Sequence, residues 1–171
     1  GELVAVASPG SVGNSMPFRD QTLTIKGPSA QAFDGVDLTF FCASGAVSRE
    51  LVPAAVAAGA TVVDNTSAFR GEADVPLIVP EVNGHVLDQA PSRRIVANPN
   101  CTTAILLTAI APIHRAATVR AIIAASYQAV SGSGSRGIAE LQAQSRMLAA
   151  DEQEAVSPRV YPHQIAFNIL P

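Results

Sequence analysis

The sequence lacks tryptophan, has only two cysteines and is poor in aromatic residues, and each scarcity excludes a class of protein. Aromatic residues make up 5% of the 171 residues, which argues against binding of single-stranded nucleic acid by base stacking. Two cysteines cannot form a disulfide framework, so a reducing cytoplasm is the predicted compartment. No apolar run reaches the roughly 18 residues that a membrane span requires, and no signal peptide opens the chain.

Charge and hydrophobicity narrow the prediction further. The formal net charge is −3, so the sequence predicts neither a nucleic acid nor an anionic membrane as a partner. Hydrophobic residues make up 48% of the chain, which suffices for a buried core and argues against disorder. The composition therefore predicts a soluble cytoplasmic α/β protein.

Short β-rich apolar runs alternate along the chain with alanine-rich stretches of helical composition. Strands are predicted over residues 3–7, 38–42, 61–64, 77–79, 94–97 and 119–127, of which the first two are expected to be buried. Helices are predicted over residues 48–58, 102–115 and 137–149, and the second is so apolar that we expect it to be buried. Ser48 is the candidate N-cap of the first helix, and Gly59 is its stop. This alternation predicts a largely parallel sheet.

The most informative segment is Asn-Pro-Asn-Cys-Thr-Thr at residues 98–103. Pro99 disfavours a helical Asn98, so a strand is predicted to end there, and Asn100 is a good N-cap for a helix that begins at or next to Cys101. The unpaired N–H groups at a helix N-terminus favour a thiolate and can bind an oxyanion. Cys101 is thus a candidate nucleophile, although a small buried hydrophobic residue is the alternative.

Two further segments carry polar residues next to predicted strands. Residues 63–70 leave a strand and end at Arg70, which could bind a phosphate or carboxylate or could be an ordinary surface residue. Gln128 stands at a predicted strand end, before the glycine-rich stretch Ser-Gly-Ser-Gly at residues 131–134. Such a stretch lets a ligand approach the backbone closely, but it is also common in plain turns.

The order of these motifs resembles the aspartate-semialdehyde dehydrogenase family over nearly the whole chain. The resemblance rests on Phe-Phe-Cys-Ala-Ser-Gly at residues 40–45, Val-Pro-Glu-Val-Asn at 79–83, Tyr-Gln-Ala-Val-Ser-Gly at 127–132, and the segments 63–70, 98–103, 137–141 and 164–168. It implies a Rossmann-like dinucleotide-binding domain that is partial, followed by the start of an α+β catalytic and dimerisation domain. We place these domains at residues 1–99 and 100–171.

The resemblance also implies a reaction and a homodimer. In this family NADPH reduces a thioester formed from aspartyl phosphate, which yields aspartate semialdehyde and phosphate for the biosynthesis of lysine, threonine, methionine and diaminopimelate. Cys101 matches the nucleophile and Gln128 the glutamine that orients the substrate. Arg70 matches the arginine that binds the substrate phosphate, and Asn100 resembles a further contact at that phosphate site.

The resemblance assigns cofactor contacts to three short segments. Ser131 and Gly132 match contacts to the nicotinamide end, and Ser44 and Gly45 match contacts to the middle of the cofactor. Ser8, Gly10 and Ser11 lie in the loop expected to bind the adenosine ribose and its 2′-phosphate. The resemblance implies NADP as the cofactor. Family members usually have an arginine where this chain has Gly10, so NAD stays open as an alternative.

Two features of the family have no counterpart in the sequence. No glycine-rich pyrophosphate loop occurs, and His85, His114 and His163 do not match the motif of the general-base histidine. Gly1 lies at the edge of an apolar run, and the chain ends on Ile-Leu-Pro. We therefore expect a fragment of a longer enzyme that is inactive alone. The alternatives are an N-acetyl-glutamyl-phosphate reductase, whose cysteine follows a different motif, and a silent homologue that only binds or oligomerises.

Overall fold

A computed structural model describes residues 1–150 and 158–171 of the chain, and strands and helices alternate over residues 38–117. The strands are β1 Ser15–Phe18, β2 Gln21–Thr24, β3 Leu38–Phe41, β4 Thr61–Asp64 and β5 Ile95–Ala97. The helices are α1 Gly45–Ala57, α2 Pro80–Asn83, α3 Cys101–Ala117 and α4 Gly134–Ala149. These elements form two compact units, Gly1–Ala121 and Ile122–Pro171, which are described separately below.

A three-stranded parallel sheet in the order β3–β4–β5 forms the centre of the first unit. Phe41 pairs with Asp64 and Asp64 with Ala97, so the three strands end level with one another. The predicted parallel sheet is confirmed. The prediction that residues 38–42 are buried is confirmed for Phe41 and wrong for the other four, because in the described part of the chain β3 pairs only with β4. Phe40 is 67% exposed and Cys42, expected to lie in the core, is exposed.

Helix α1 covers the sheet with a face that recurs at helical spacing, namely Ser48, Val52 and Ala55, all buried. Val52 and Ala55 join a hydrophobic core that also contains Phe33, Phe41, Ala60, Val62, Ala68, Phe69, Val75, Ile95 and Ala97. The Ser44 side chain caps the helix, where it accepts a 3.4 Å hydrogen bond from Val47 N. The prediction of Ser48 as the cap is therefore wrong, whereas the predicted stop is confirmed by Gly59 at φ +96°.

Two predicted strands of the first unit reduce to isolated bridges. Residues 3–7 contribute one parallel bridge, Val6 with Lys26, and none of the five residues is buried. Residues 77–79 contribute one bridge, Leu77 with Ala97. The unpredicted β1–β2 hairpin turns at Arg19, whose φ is +52°, without the glycine or asparagine that usually marks such a turn.

Helix α3 confirms the predicted helix but not its predicted burial. None of its residues is buried, and Ile105 is 73% exposed. Within the first unit α3 packs against the short helix α2, where Arg115 Nη2 donates 3.0 Å hydrogen bonds to the carbonyl oxygens of Glu81 and Val82. One short helix cannot cover the whole surface of a 17-residue helix.

The second unit is built on α4, which begins three residues before the predicted start. Gln144 is 2% exposed, and its Oε1 accepts hydrogen bonds from Ile165 N at 2.8 Å and Ala166 N at 3.1 Å. The buried Glu140 accepts in the same way from the N–H groups of Arg159 and Val160. The side chains of Glu140 and Gln144 on one face of α4 therefore hold the backbone of residues 159–166.

The predicted strand over residues 119–127 is wrong. These residues pair with no strand in the described part of the chain, and the side chain of Ile123 is fully exposed. An apolar β-rich run becomes a strand only when a neighbouring strand satisfies its backbone groups. No helix among the described residues is both long and apolar enough to cross a membrane.

Candidate active site

Cys101 is the first residue of α3 and is exposed, as a nucleophile must be. The Asn100 side chain caps the helix, because its Oδ1 accepts a 2.9 Å hydrogen bond from Thr102 N. Cys101 Sγ lies 3.9 Å from the same oxygen. Among the described residues the N–H groups of Cys101 and Thr103 have no hydrogen-bond partner, so both are free to bind an oxyanion beside the sulfur. The predicted N-cap is confirmed.

Arg70 is tied to the backbone that leads into this turn. Its Nε donates to the carbonyl oxygen of Asn98 at 2.8 Å, and its Nη2 donates to that of Asn65 at 3.1 Å. A guanidinium has five N–H donors in a planar fork, so Nη1 and one hydrogen of Nη2 remain for a ligand. Two hydrogen bonds to rigid backbone thus hold a half-buried cation near the start of α3.

The partners of Arg70 form a cluster that the sequence did not reveal as a site. Asn98 Nδ2 donates to Asn65 Oδ1, and Asn98 N donates to the carbonyl oxygen of Asp64 at 2.8 Å. The ends of β4 and β5 are therefore joined beside Arg70. The signal that could have found this cluster is the level ending of two adjacent parallel strands, each followed by an asparagine.

In the second unit, Gln128 lies against Gly132. A Cβ at Gly132 would overlap the Gln128 amide nitrogen and lie 3.0 Å from its Cδ. Ser131 and Gly132 form a one-turn 3-10 helix, Val130–Ser133, and both are exposed. Tyr161 Oη donates a 2.8 Å hydrogen bond to Ser133 Oγ, which fixes the end of this turn. Because glycine has no Cβ, Gly132 leaves space for the Gln128 side chain.

The other residues predicted to contact the cofactor lie at two turns of the first unit. Ser44 and Gly45 begin α1 directly after the end of β3, and the nearest atom to a Cβ at Gly45 would be Ser67 Oγ at 3.7 Å. Ser67 belongs to the loop that ends at Arg70, so this helix start lies beside that loop. A helix N-terminus that carries a hydroxyl fits an anionic ligand.

Ser8, Gly10 and Ser11 belong to the second of these turns, which is a 3-10 turn over Pro9–Ser11. Ser8 and Gly10 are exposed, and nothing lies within 4 Å of a Cβ at Gly10. The turn has two hydroxyls and space, and so fits a polar group such as a ribose. Among the described residues, no cluster of three or more histidine, cysteine or acidic side chains could hold a metal.

Comparisons with known proteins agree with this geometry. Residues 1–90 match the family model described as semialdehyde dehydrogenase, NAD binding domain, and residues 110–171 match the model described as semialdehyde dehydrogenase, dimerisation domain. The aspartate-semialdehyde dehydrogenase of Legionella pneumophila is 47% identical over 169 residues, which is 99% of this chain and 48% of that protein. The chain spans about half the length of the curated relatives it matches.

Solved structures give the same result. The aspartate semialdehyde dehydrogenase II of Vibrio cholerae complexed with ASA superposes with a TM-score of 0.90 at 37% identity, over 98% of this chain and 49% of that one. The aspartate semialdehyde dehydrogenase of Candida albicans with NADP superposes with a TM-score of 0.57 at 27% identity, over 69% of this chain and 40% of that one. These matches confirm the resemblance drawn from the motifs and the predicted fold class.

Proposed function

The chain belongs to the semialdehyde dehydrogenase family, and from this membership we propose that it carries the nucleophile of an aspartate-semialdehyde dehydrogenase. The reaction is the NADP-dependent reductive dephosphorylation of L-aspartyl 4-phosphate to L-aspartate 4-semialdehyde. The observation that carries the proposal is the exposed Cys101 at a capped helix start, with Arg70 bound to the residue three positions before it.

Cys101 opens the reaction. Its thiolate attacks the carbonyl carbon of the acyl phosphate, a C–S bond forms, and the C–O bond to phosphate breaks so that phosphate leaves with the electron pair. The free N–H groups of Cys101 and Thr103 stabilise the oxyanion during this step. A nicotinamide dinucleotide, when bound, supplies the hydride that reduces the thioester. The C–S bond then breaks, its electron pair returns to Cys101 Sγ, and the aldehyde departs.

Arg70 binds the phosphate in this proposal. Because Nε and Nη2 are engaged by backbone carbonyls, the guanidinium is already oriented before the substrate arrives. A fixed cation with free donors recognises a phosphate without losing side-chain entropy on binding. Asn100 contributes its side chain as a further contact at the phosphate, and Gln128 orients the amino acid part of the substrate.

We assign the cofactor to the segments around Ser8, Gly10 and Ser11, around Ser44 and Gly45, and around Ser131 and Gly132. The NAD binding domain model matched by residues 1–90 supports a nicotinamide dinucleotide. The Candida albicans relative solved with NADP supports NADP. Gly10 leaves NAD as the alternative, because no guanidinium stands at that position to bind a 2′-phosphate.

The oligomeric state, the domain boundary and the cellular location are proposed on the same basis. The dimerisation domain model matched by residues 110–171 supports a homodimer. The domain boundary that we propose lies at residues 99/100, directly before the helix that begins at Cys101. We further propose that the substrate is a small molecule and that the location is cytoplasmic. The reaction then belongs to the biosynthesis of the aspartate-derived amino acids and diaminopimelate.

The test compares Cys42 and Cys101, the two cysteines of the chain, in the full-length protein. Activity is measured with aspartate semialdehyde, phosphate and NADP, for Cys101→Ala and for Cys42→Ala. We expect Cys101→Ala to lose at least about a thousandfold in kcat/KM and Cys42→Ala to retain activity. Equal loss in the two variants, or turnover with N-acetyl-glutamate semialdehyde in place of aspartate semialdehyde, would overturn the proposal.

A further inference from the structure

Asp64 is a fully buried carboxylate that takes no part in the reaction proposed above. It is the last residue of β4, at the sheet edge from which the loop to Arg70 departs, and its exposed fraction is 0%. Buried carboxylates are rare unless every lone pair is engaged, so its surroundings show what it holds in place.

Three donors converge on this carboxylate from two elements. Oδ1 accepts from Ser48 Oγ of α1 at 2.9 Å and from Thr66 N at 3.2 Å. Oδ2 accepts from Thr66 Oγ1 at 2.9 Å. Thr66 Oγ1 in turn accepts from Ala68 N at 3.1 Å. The carboxylate therefore holds the loop after β4 in a turn at Thr66 and joins this turn to Ser48 of α1.

The backbone of Asp64 also supports one of the residues to which Arg70 binds. The carbonyl oxygen of Asp64 accepts from Asn98 N at 2.8 Å. Asn98 and Asn65, the residue after Asp64, supply the two carbonyl oxygens that receive the Arg70 guanidinium. The side chain of Asp64 thus shapes the loop from which Arg70 projects, and its backbone fixes one of the carbonyls to which Arg70 binds.

We propose that Asp64 is a positioning residue for the phosphate-binding arginine, and that it acts through Thr66 and Ser48 to set where Arg70 lies relative to the turn before Cys101. This inference rests on the proposed function, since it takes phosphate as the ligand of Arg70. It predicts an effect on phosphate recognition that is separate from the chemistry at sulfur, because among the described residues no hydrogen bond joins the Asp64 side chain to Cys101 or Asn100.

Asp64→Asn is the first test because it keeps the shape and replaces one acceptor oxygen with a donor. In the full-length protein we expect the KM for phosphate to rise about tenfold, since a small displacement of a positioning group weakens recognition strongly. The KM for NADP and the alkylation rate of Cys101 by iodoacetamide should change less than about twofold, because neither depends on Arg70. Asp34→Asn, at an exposed aspartate, controls for the lost charge and should leave all three values unchanged.

A second pair of variants keeps the inference falsifiable if Asp64→Asn folds poorly. Thr66→Val removes the hydroxyl that bonds Oδ2, whereas Thr66→Ser retains it. We expect the valine variant to raise the phosphate KM and the serine variant to restore it. A phosphate KM that moves in neither Asp64→Asn nor Thr66→Val overturns the inference while leaving wild-type activity, and hence the proposed function, intact. A wild-type protein without phosphate-dependent activity overturns both.

Discussion

Arg70 Nε donates a 2.8 Å hydrogen bond to the carbonyl oxygen of Asn98, three residues before Cys101. This bond holds the guanidinium to the same short stretch of backbone that leads into the helix bearing the thiol. Because the same stretch of backbone positions the cation and the nucleophile, both can contact one acyl phosphate without rearrangement.

Replacing Arg70 should impair phosphate recognition first. Arg70→Leu removes the cation and both backbone hydrogen bonds, and we expect the phosphate KM to rise by at least about tenfold. Arg70→Lys keeps the charge but lacks the planar fork, so its KM should lie between those of the wild type and the leucine variant. Steady-state kinetics at varied phosphate measure this. Arg49→Leu, which removes an exposed arginine of α1, is the control; an unchanged phosphate KM in Arg70→Leu would refute the assignment.

Asn100→Ala should destabilise α3 and slow the reaction of Cys101 with iodoacetamide. The variant loses the acceptor for Thr102 N, and loss of an N-cap reduces the free energy of unfolding by about 1 kcal/mol. Asn100→Ser restores a capping hydroxyl and should recover most of both values. Denaturant unfolding and alkylation kinetics are the two measurements. A serine variant as impaired as the alanine variant would show that capping is not what Asn100 contributes.

Gly132→Ala should act on catalysis through Gln128. A Cβ at residue 132 overlaps the Gln128 amide, so the amide must move, and we expect kcat to fall about tenfold. In a Gln128→Ala background the same change should have no further effect, because the displaced group is already absent. Gly71→Ala, where nothing lies within 4 Å of the new Cβ, serves as control. Additive losses in the double variant would contradict this coupling.

Gly137→Ala should destabilise the second unit. A Cβ there would lie 2.9 Å from Ser133 Cβ, from Tyr161 Oη and from the carbonyl oxygen of Val130. Overpacking of this kind costs about 1–3 kcal/mol in the free energy of unfolding. Gly84→Ala, whose new Cβ would lie 4.0 Å from Pro80 Cβ, should be tolerated. Equal midpoints for the two variants in urea unfolding would contradict the packing described for Gly137.

The sequence revealed those features that local chemistry determines. The cap at Asn100 follows from Pro99 and from the residue types around it, and the structure has it where it was predicted. The parallel strands β4 and β5 are short apolar runs bounded by polar residues, and both lie within one residue of prediction. Such signals need no knowledge of distant parts of the chain.

The features that sequence reasoning missed depend on partners. Residues 119–127 have strand composition, yet no neighbouring strand pairs with them in the described part of the chain. Cys42 stands in an apolar run, yet it follows a strand that pairs only with β4 among the residues that the structure describes. Ser48 looked like a cap because serine favours that position, but it lies on the buried helix face and bonds to Asp64. Its spacing from Val52 and Ala55 was the available signal.

The central claim is that Cys101 forms a thioester, and its most direct test is to detect the acyl group on that residue. The full-length protein is incubated with aspartate semialdehyde and oxidised NADP without phosphate, quenched in acid, digested and examined by mass spectrometry. The account predicts the added mass of an aspartyl group on the peptide that contains Cys101, none on the peptide that contains Cys42, and loss of the label when phosphate is added. An unmodified Cys101 in a protein that still turns over would contradict the thioester, and with it the proposed role of the capped helix start.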